Sequence, residues 1–186
     1  MEIYIFLFLL IFIINLIPAF MPPTWIILSF FYLQFHLGFM LTVILGVIAA
    51  TLGRVVLALI ARRYLEKILP ARFLTNYQDL GEYLSKNQKL TIPVVFGYAF
   101  SPISSNALFI IAGLSNLNLT PIALSFFIGR LISYTFWITA SDRLSSRLEE
   151  IFASHFSNLG TLISAVVSGI IILAVGQIKW KKLLGI

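Results

Sequence analysis

Apolar residues run in long blocks along this chain, and polar residues gather in a few short stretches between them. The first block, Ile3–Ile17, ends in a breaker cluster of Asn15, Pro18, Pro22 and Pro23. The next, Thr24–Phe35, reaches only roughly 18 Å as a helix, short of an apolar bilayer core of about 30 Å. Leu37–Ala61 is long enough to span and closes on Arg62, Arg63 and Lys67. Residues 70–90 are polar, yet Phe73, Tyr77, Leu80 and Leu84 recur at helical spacing, which predicts a short interfacial helix, with a solvated loop as the alternative. Thr91–Leu114 is apolar again but broken by Ser101-Pro102-Ile103-Ser104-Ser105-Asn106. Leu119–Ala140 predicts a further span. Residues 141–157, with Leu144, Leu148, Ile151, Phe152 and Phe156 at helical spacing, predict a second interfacial helix, and Leu159–Ile178 a last span anchored by Lys179, Trp180, Lys181 and Lys182.

Composition sharpens this pattern. Of 186 residues, 60% are hydrophobic and only 11% charged. A soluble domain is about 45–50% apolar and about 25% charged. The chain therefore reads as an all-α integral membrane protein, a single membrane domain with no soluble part of its own. The absence of cysteine excludes disulfides, thiolate catalysis and cysteine metal sites. The net charge of +6 reads as a topology signal and an affinity for anionic headgroups, not for nucleic acid. The N-terminus has Glu2, no basic region and no small-residue cleavage site, so it is not read as a secretory signal.

Positive charge favours the cytoplasmic side. Residues 62–90 hold six Lys or Arg and the C-terminal tail three, whereas 141–157 are nearly balanced by Asp142, Glu149 and Glu150. Placing 62–90 and the C-terminus inside and 141–157 outside forces residues 91–114 to enter and leave on one side, as a re-entrant hairpin broken at Pro102. Residues 3–35 form either a second hairpin from the opposite face, turning near Pro18–Pro23, or a tilted full span at 3–17 followed by a short helix. With two hairpins the chain divides into a first repeat (1–69), a second repeat (91–157) and a C-terminal helix with a basic tail (158–186). Each half then carries a proline-broken hairpin followed by a span containing Gly-Arg: Gly53-Arg54 and Gly129-Arg130. Pro22 to Arg54 is 32 residues and Pro102 to Arg130 is 28, a difference of about one helical turn. Inverted repeats of broken helices are a transporter signature.

The candidate chemistry lies with Arg54 and Arg130. A charge at a membrane-helix centre costs about 2.5–3.5 kcal/mol even on the lenient scale. None of the seven acids, Glu2, Glu66, Asp79, Glu82, Asp142, Glu149 and Glu150, falls inside an apolar block to offset it. Carbonyl ends of half-helices, cavity water, or an anionic ligand such as a lipid phosphate are the remaining partners, and a guanidinium suits phosphate. The structural alternative lets Arg54 reach the interface and Arg130 bond loop carbonyls. Asn15, Ser101, Ser104, Ser105 and Asn106 stand at the expected hairpin tips, where exposed N–H groups attract anions and where polar caps are needed in any case. His36 reads as an interfacial histidine and is the one titratable candidate for ion coupling near the apolar blocks. No Walker loop, HExxH, nucleophile elbow, paired carboxylate or metal cluster occurs, so neither an enzyme nor a cofactor is expected.

Tyr98-Ala99-Phe100-Ser101-Pro102-Ile103, Ala112-Gly113-Leu114 and Ile128-Gly129-Arg130 in the second half, with Asn15 through Pro22-Pro23 and Leu52-Gly53 in the first, resemble the DedA superfamily, also called the SNARE-associated or VTT-domain family. The resemblance covers roughly residues 10–140. It implies two opposed re-entrant hairpins and the movement of phospholipid or lipid-phosphate headgroups between leaflets. Its partners would be anionic or zwitterionic membrane lipids, with a homo-oligomer open. A compact chain of this kind is expected in a prokaryotic inner membrane. The chain departs from the family pattern at Thr24-Trp25 and at Arg54, where acids are usual, and around Ser101–Asn106, where loop arginines are usual. Proton coupling through those carboxylates therefore does not carry over. An ion-coupled exporter of small solutes or drugs, and a non-transporting membrane assembly protein, are the rival readings.

Overall fold

A computed structural model describes residues 1–17, 23–87, 89, 92–93, 95–97, 105–143, 177–179 and 182. Every element within them is helical. In chain order these are α1 (Glu2–Leu16), α2 (Thr24–Gln34), α3 (Phe39–Ile60), a π-helical turn (Ala61–Leu65), α4 (Glu66–Ile68), α5 (Ala71–Lys86), α6 (Asn106–Leu114) and α7 (Leu119–Arg143). Prolines precede two starts, Pro23 before α2 and Pro70 before α5. Pro121 lies in the first turn of α7, where its missing N–H costs nothing, and the Asn118 side chain accepts the Thr120 N–H at 3.1 Å.

Two helices are long and apolar enough to cross a membrane: Phe39–Leu65, which continues α3 through the π-helical turn, and Leu119–Ser141 in α7. These correspond to the expected spans Leu37–Ala61 and Leu119–Ala140. The expected helix over 70–90 is present as α5, with Tyr77 and Leu80 buried and Phe73 and Leu84 packed against apolar neighbours. The expected helix over 141–157 beyond Arg143, nearly all of the span 159–178, and Pro18, Pro22, Ser101, Pro102 and Ser104 lie outside the described residues.

α1 and α2 fold back on each other. Phe6 near the start of α1 lies 6.0 Å, ring to ring, from Phe31 near the end of α2. Asn15 at the other end of α1 donates from Nδ2 to Thr24 Oγ1, at the start of α2, at 3.2 Å. The pair opens toward the start of α3, where the Gly38 N–H donates to the Tyr4 hydroxyl at 2.8 Å. The end of α1 lies beside Gly53: a Cβ there would come within 2.7 Å of the Phe12 carbonyl oxygen and 2.9 Å of Asn15 Cβ. At about 1.5 Å per residue, the 15 residues of α1 extend roughly 22 Å, so α1 stops partway along α3. The first six residues of α2, Thr24 to Ser29, are all buried, so this end of the helix is covered on every side.

α6 lies against the other end of α3. Gly113 packs on the Ala58 carbonyl, a contact a side chain would block. Leu57, Ala61, Ile110 and Leu114 share one apolar cluster with Tyr77 of α5. α7 runs antiparallel to α3. Its early residues Ile122 and Phe126 cluster with Ala58, and its late residues Tyr134 and Ile138 cluster with Val43, Val47, Ala49 and Ala50.

The turns α2–α3 and α6–α7 are the same structure used twice. His36 (φ 48°) and Asn116 (φ 53°) occupy the left-handed region. In each turn the N–H of the following residue reaches back five positions, Leu37 to the Tyr32 carbonyl at 3.2 Å and Leu117 to the Ala112 carbonyl at 3.1 Å, as in a Schellman termination. His36 and Asn116 are 80 positions apart, as are Pro22 and Pro102. This register carries the same four-residue offset of the Gly-Arg pairs that the proline spacing gives. Relative to its own turn, Arg54 sits 18 residues on and Arg130 only 14, so the two arginines fall one helical turn apart in equivalent frames.

The tight passage at Gly53 makes a prediction. Gly53→Ala forces α1 away from α3 and lowers stability by about 1–3 kcal/mol, the cost of overpacking a close contact. A thermal melt of detergent-solubilised protein, with the exposed Leu52→Ala as control, measures the difference.

Candidate functional site

Three arginines of the apolar region have guanidinium partners of two different kinds. Arg54, 6% exposed, donates from Nη1 to the Asn15 carbonyl at 3.1 Å. That carbonyl belongs to the last turn of α1, which carries no basic residue of its own. Terminal carbonyls of a helix have no intrahelical donor and form the negative end of its dipole, so a cation delivered there by α3 answers both needs. The Asn15 side chain ties the same corner together. Nδ2 donates to the Ile11 carbonyl at 2.8 Å and to Thr24 Oγ1 at 3.2 Å, linking the end of α1 to the start of α2. Gly53 makes the approach of α1 to α3 close enough for Arg54 to reach.

Arg62 does for α6 what Arg54 does for α1. It donates from Nη2 to the Leu117 carbonyl at 2.7 Å and from Nε to the Gly113 carbonyl at 3.4 Å. α6 likewise has no basic residue in its last turn. In the sequence pattern Arg62 is one of the charges that close a span. The π-helical turn carries its side chain toward α6 instead, and Gly113 lets α6 lie flush against Ala58. One signal for this was available: α3 carries arginines eight residues apart, about 12 Å along a helix, beside two short helices that both lack C-terminal bases.

Arg130 is different. It stands twelfth of 25 residues in α7 and is 7% exposed. Its guanidinium carbon lies 5.1 Å from the centre of the Phe126 ring and 5.6 Å from that of Tyr134, one helical turn to either side. Ring faces offset part of the charge. They do not accept the five N–H bonds a guanidinium offers. Nε is buried with no hydrogen-bond partner, and no carboxylate pairs with Arg130 among the described residues. Along the same side of α7, the hydroxyl of the fully buried Tyr134 is also without a partner. A turn further, Trp137 stacks on Trp25 of α2 at 4.7 Å, and the buried Trp25 Nε1–H has no acceptor. Arginine Nε and tryptophan Nε1 are donors only, and a tyrosine hydroxyl donates readily. One side of α7 and the start of α2 thus hold three buried polar atoms without partners, Arg130 Nε, the Tyr134 hydroxyl and Trp25 Nε1, each able to donate to an anionic oxygen.

At the start of α6, Ser105 is fully buried and its Oγ has no hydrogen-bond partner, while Asn106 is 3% exposed. Asn106 lies one turn before Ile110, which clusters with Leu57, so the start of α6 falls near the level of Arg54 on α3. The structure therefore brings Asn15, Arg54, Ser105 and Asn106 to one middle stretch of α3. Arg130 sits apart, on α7 among the rings. Of the other expected site residues, Ser101, Ser104, Pro18, Pro22 and Pro102 are not described, and Pro23 caps α2. No group of three or more His, Asp or Glu that would hold a metal occurs among the described residues. No family model, no curated protein and no solved structure matches this chain.

The two kinds of arginine respond oppositely to replacement. Arg62→Ala removes the charged donor to the Leu117 carbonyl, and a weaker one to the Gly113 carbonyl, which keeps the Asn116 N–H, and costs about 1.5–3 kcal/mol, the range for charge-assisted hydrogen bonds. Arg130→Leu removes a buried charge that no acid compensates, and leaves the melting temperature unchanged or raises it. Melting curves of both variants in one detergent check the pair. A large loss of stability in Arg130→Leu would mean that Arg130 has a structural partner.

Proposed function

We propose that this chain is an integral membrane protein that moves phospholipid or lipid-phosphate headgroups between bilayer leaflets, as its resemblance to the DedA superfamily implies. Arg130 receives the headgroup phosphate. The observation that carries this reading is a guanidinium at the middle of a membrane-length helix, held by two ring faces and bordered by further donors without acceptors. A phosphate is the ligand that a planar fork of donors fits, and it brings the negative charge that the surroundings lack.

The remaining geometry supports the same reading. Large apolar side chains point outward along the helices, among them Phe6, Leu9 and Ile13 of α1, Leu41 and Leu52 of α3, and Leu124, Ile128 and Phe136 of α7. Such a surface belongs in lipid. α1 and α2 are each shorter than a span and meet at a tip beside the middle of α3, which is how a re-entrant hairpin is built. The oppositely directed repeat of short helix, left-handed turn and long helix favours an inverted-repeat transporter. In this reading Arg54 and Asn15 hold the tip of the first hairpin, and Ser101, Ser104, Ser105 and Asn106 line the path from the second. The location we assign is a prokaryotic inner membrane with the C-terminus cytoplasmic. The rival ion-coupled exporter needs a titratable group in the path, whereas His36 lies exposed in the turn between α2 and α3.

The test is lipid transfer in proteoliposomes, with a fluorescent phospholipid and a membrane-impermeant quencher. Native protein exposes both leaflets to the quencher. Arg130→Gln slows transfer by about tenfold or more, the loss expected when a charge-assisted hydrogen bond worth at least about 1.4 kcal/mol disappears. Equal transfer by folded native and variant protein would remove Arg130 from the path. No transfer by the native protein would remove the proposed activity.

A further inference from the structure

A second group of cations lies at the opposite kind of location, on the surface. α5 has two distinct faces. Phe73, Tyr77, Leu80 and Leu84 turn inward, toward α6 and the end of α3. Arg72, Thr75, Asn76 and Asp79, at helical spacing on another side, form one wall of a cleft of about 530 Å³. The other wall comes from the C-terminal tail, through Lys179 and Lys182. Side chains more than a hundred residues apart in sequence thus bring three cations and one carboxylate into one concavity, so its described lining carries a net positive charge.

Among the described residues no carboxylate forms an ion pair with any of the three cations. Among the described residues the salt bridge present is Lys86–Glu82 at 2.7 Å, elsewhere on α5, and Asp79 makes none with the cations around it. Thr75 Oγ1 is engaged with the Ala71 carbonyl at 3.0 Å, and Asn76 is 6% exposed in the wall. Arginine offers a planar fork and lysine a point charge, the usual pair of donors for a phosphate. The volume lies within the range of about 300–1,000 Å³ typical of small-ligand sites. The position also matters. α5 follows the end of the long apolar helix by a few residues, and Lys179 directly follows the apolar run Leu159–Ile178. Basic residues at such flanks stand at the level of lipid headgroups.

We propose that the cleft between α5 and the C-terminal tail binds a phosphate-bearing anion, held by Arg72, Lys179 and Lys182. Asp79 opposes the ligand and sets the affinity below what the three cations alone would give. This site is separate from Arg130 and does not depend on leaflet transfer, so a null result in proteoliposomes leaves it standing.

Native mass spectrometry of the full detergent-solubilised chain tests it, with phosphatidylglycerol as probe, phosphatidylcholine as the net-neutral comparison, and inorganic phosphate as competitor. The native chain retains phosphatidylglycerol over phosphatidylcholine. The combined variant R72Q/K179Q/K182Q loses about tenfold in phosphatidylglycerol affinity, whereas K86Q, outside the cleft, does not. Asp79→Asn gains several-fold, a response that mere support of the fold by Asp79 would not produce, and it keeps the test alive if the triple variant fails to fold. Displacement by millimolar inorganic phosphate identifies a soluble phosphate as the ligand; resistance to it identifies the lipid. Equal retention by native and triple-variant protein, or weaker binding by Asp79→Asn, overturns the proposal.

Discussion

The end of a helix inside an apolar medium leaves carbonyls that no water can satisfy, and the rest of this structure is arranged around that constraint. α1 and α6 both stop against α3, and each stops where an arginine from α3 or its π-helical extension meets the terminal carbonyls. The glycines follow from the same need. Gly53 and Gly113 bring a short helix close enough to α3 for a side chain from one to reach the backbone of the other. Asn15 completes the first corner by joining the end of α1 to the start of α2. One long helix thereby serves as the post on which two short ones are hung, and its cations are positioned by the carbonyls that need them.

Arg130 falls outside this scheme. The same residue type in the same apolar surroundings receives ring faces instead of carbonyls. The contrast follows from the repeat. With the two left-handed turns as the common frame, the position in α7 equivalent to Arg54 is Tyr134, and the position in α3 equivalent to Arg130 is Ala50. A displacement of one turn along a helix moves a side chain by about 5.4 Å along the axis while keeping nearly the same face. That is enough to take Arg130 from the level where a helix end would meet it to one where Phe126 and Tyr134 close over it.

The two spans seen in α3 and α7 were legible because length and apolarity are local properties of the chain. α5 was legible because Phe73, Tyr77, Leu80 and Leu84 repeat with the period of a helix, whatever lies beneath them. The one-turn offset of Gly53-Arg54 against Gly129-Arg130 was legible in the spacing from Pro22 and Pro102, and the two left-handed turns repeat that register in the backbone. A left-handed His36 has no compositional mark, and Asn116 only a weak one. Arg62 was read only as a charge that closes a span, because a basic residue at the end of an apolar run looks the same whether it turns outward to headgroups or inward to a neighbouring helix. Only the partner's backbone distinguishes the two. The cleft holding Arg72, Lys179 and Lys182 unites segments whose proximity no local pattern encodes.

The meeting of α1 and α6 partway along α3 has a bearing on electrostatics across the molecule. One helix presents its C-terminal, negative pole there and the other its N-terminal, positive pole, with Asn15, Arg54, Ser105 and Asn106 gathered around the junction. The free energy of a charge in a slab of low permittivity rises with its distance from the nearest polar medium and peaks at the centre. Both short helices run in the direction of α3, so the two poles at this level are opposite in sign and offset each other, much as successive turns do within one helix. Two short helices in line thus share the dipole arrangement of one long helix while leaving a break in the backbone between them.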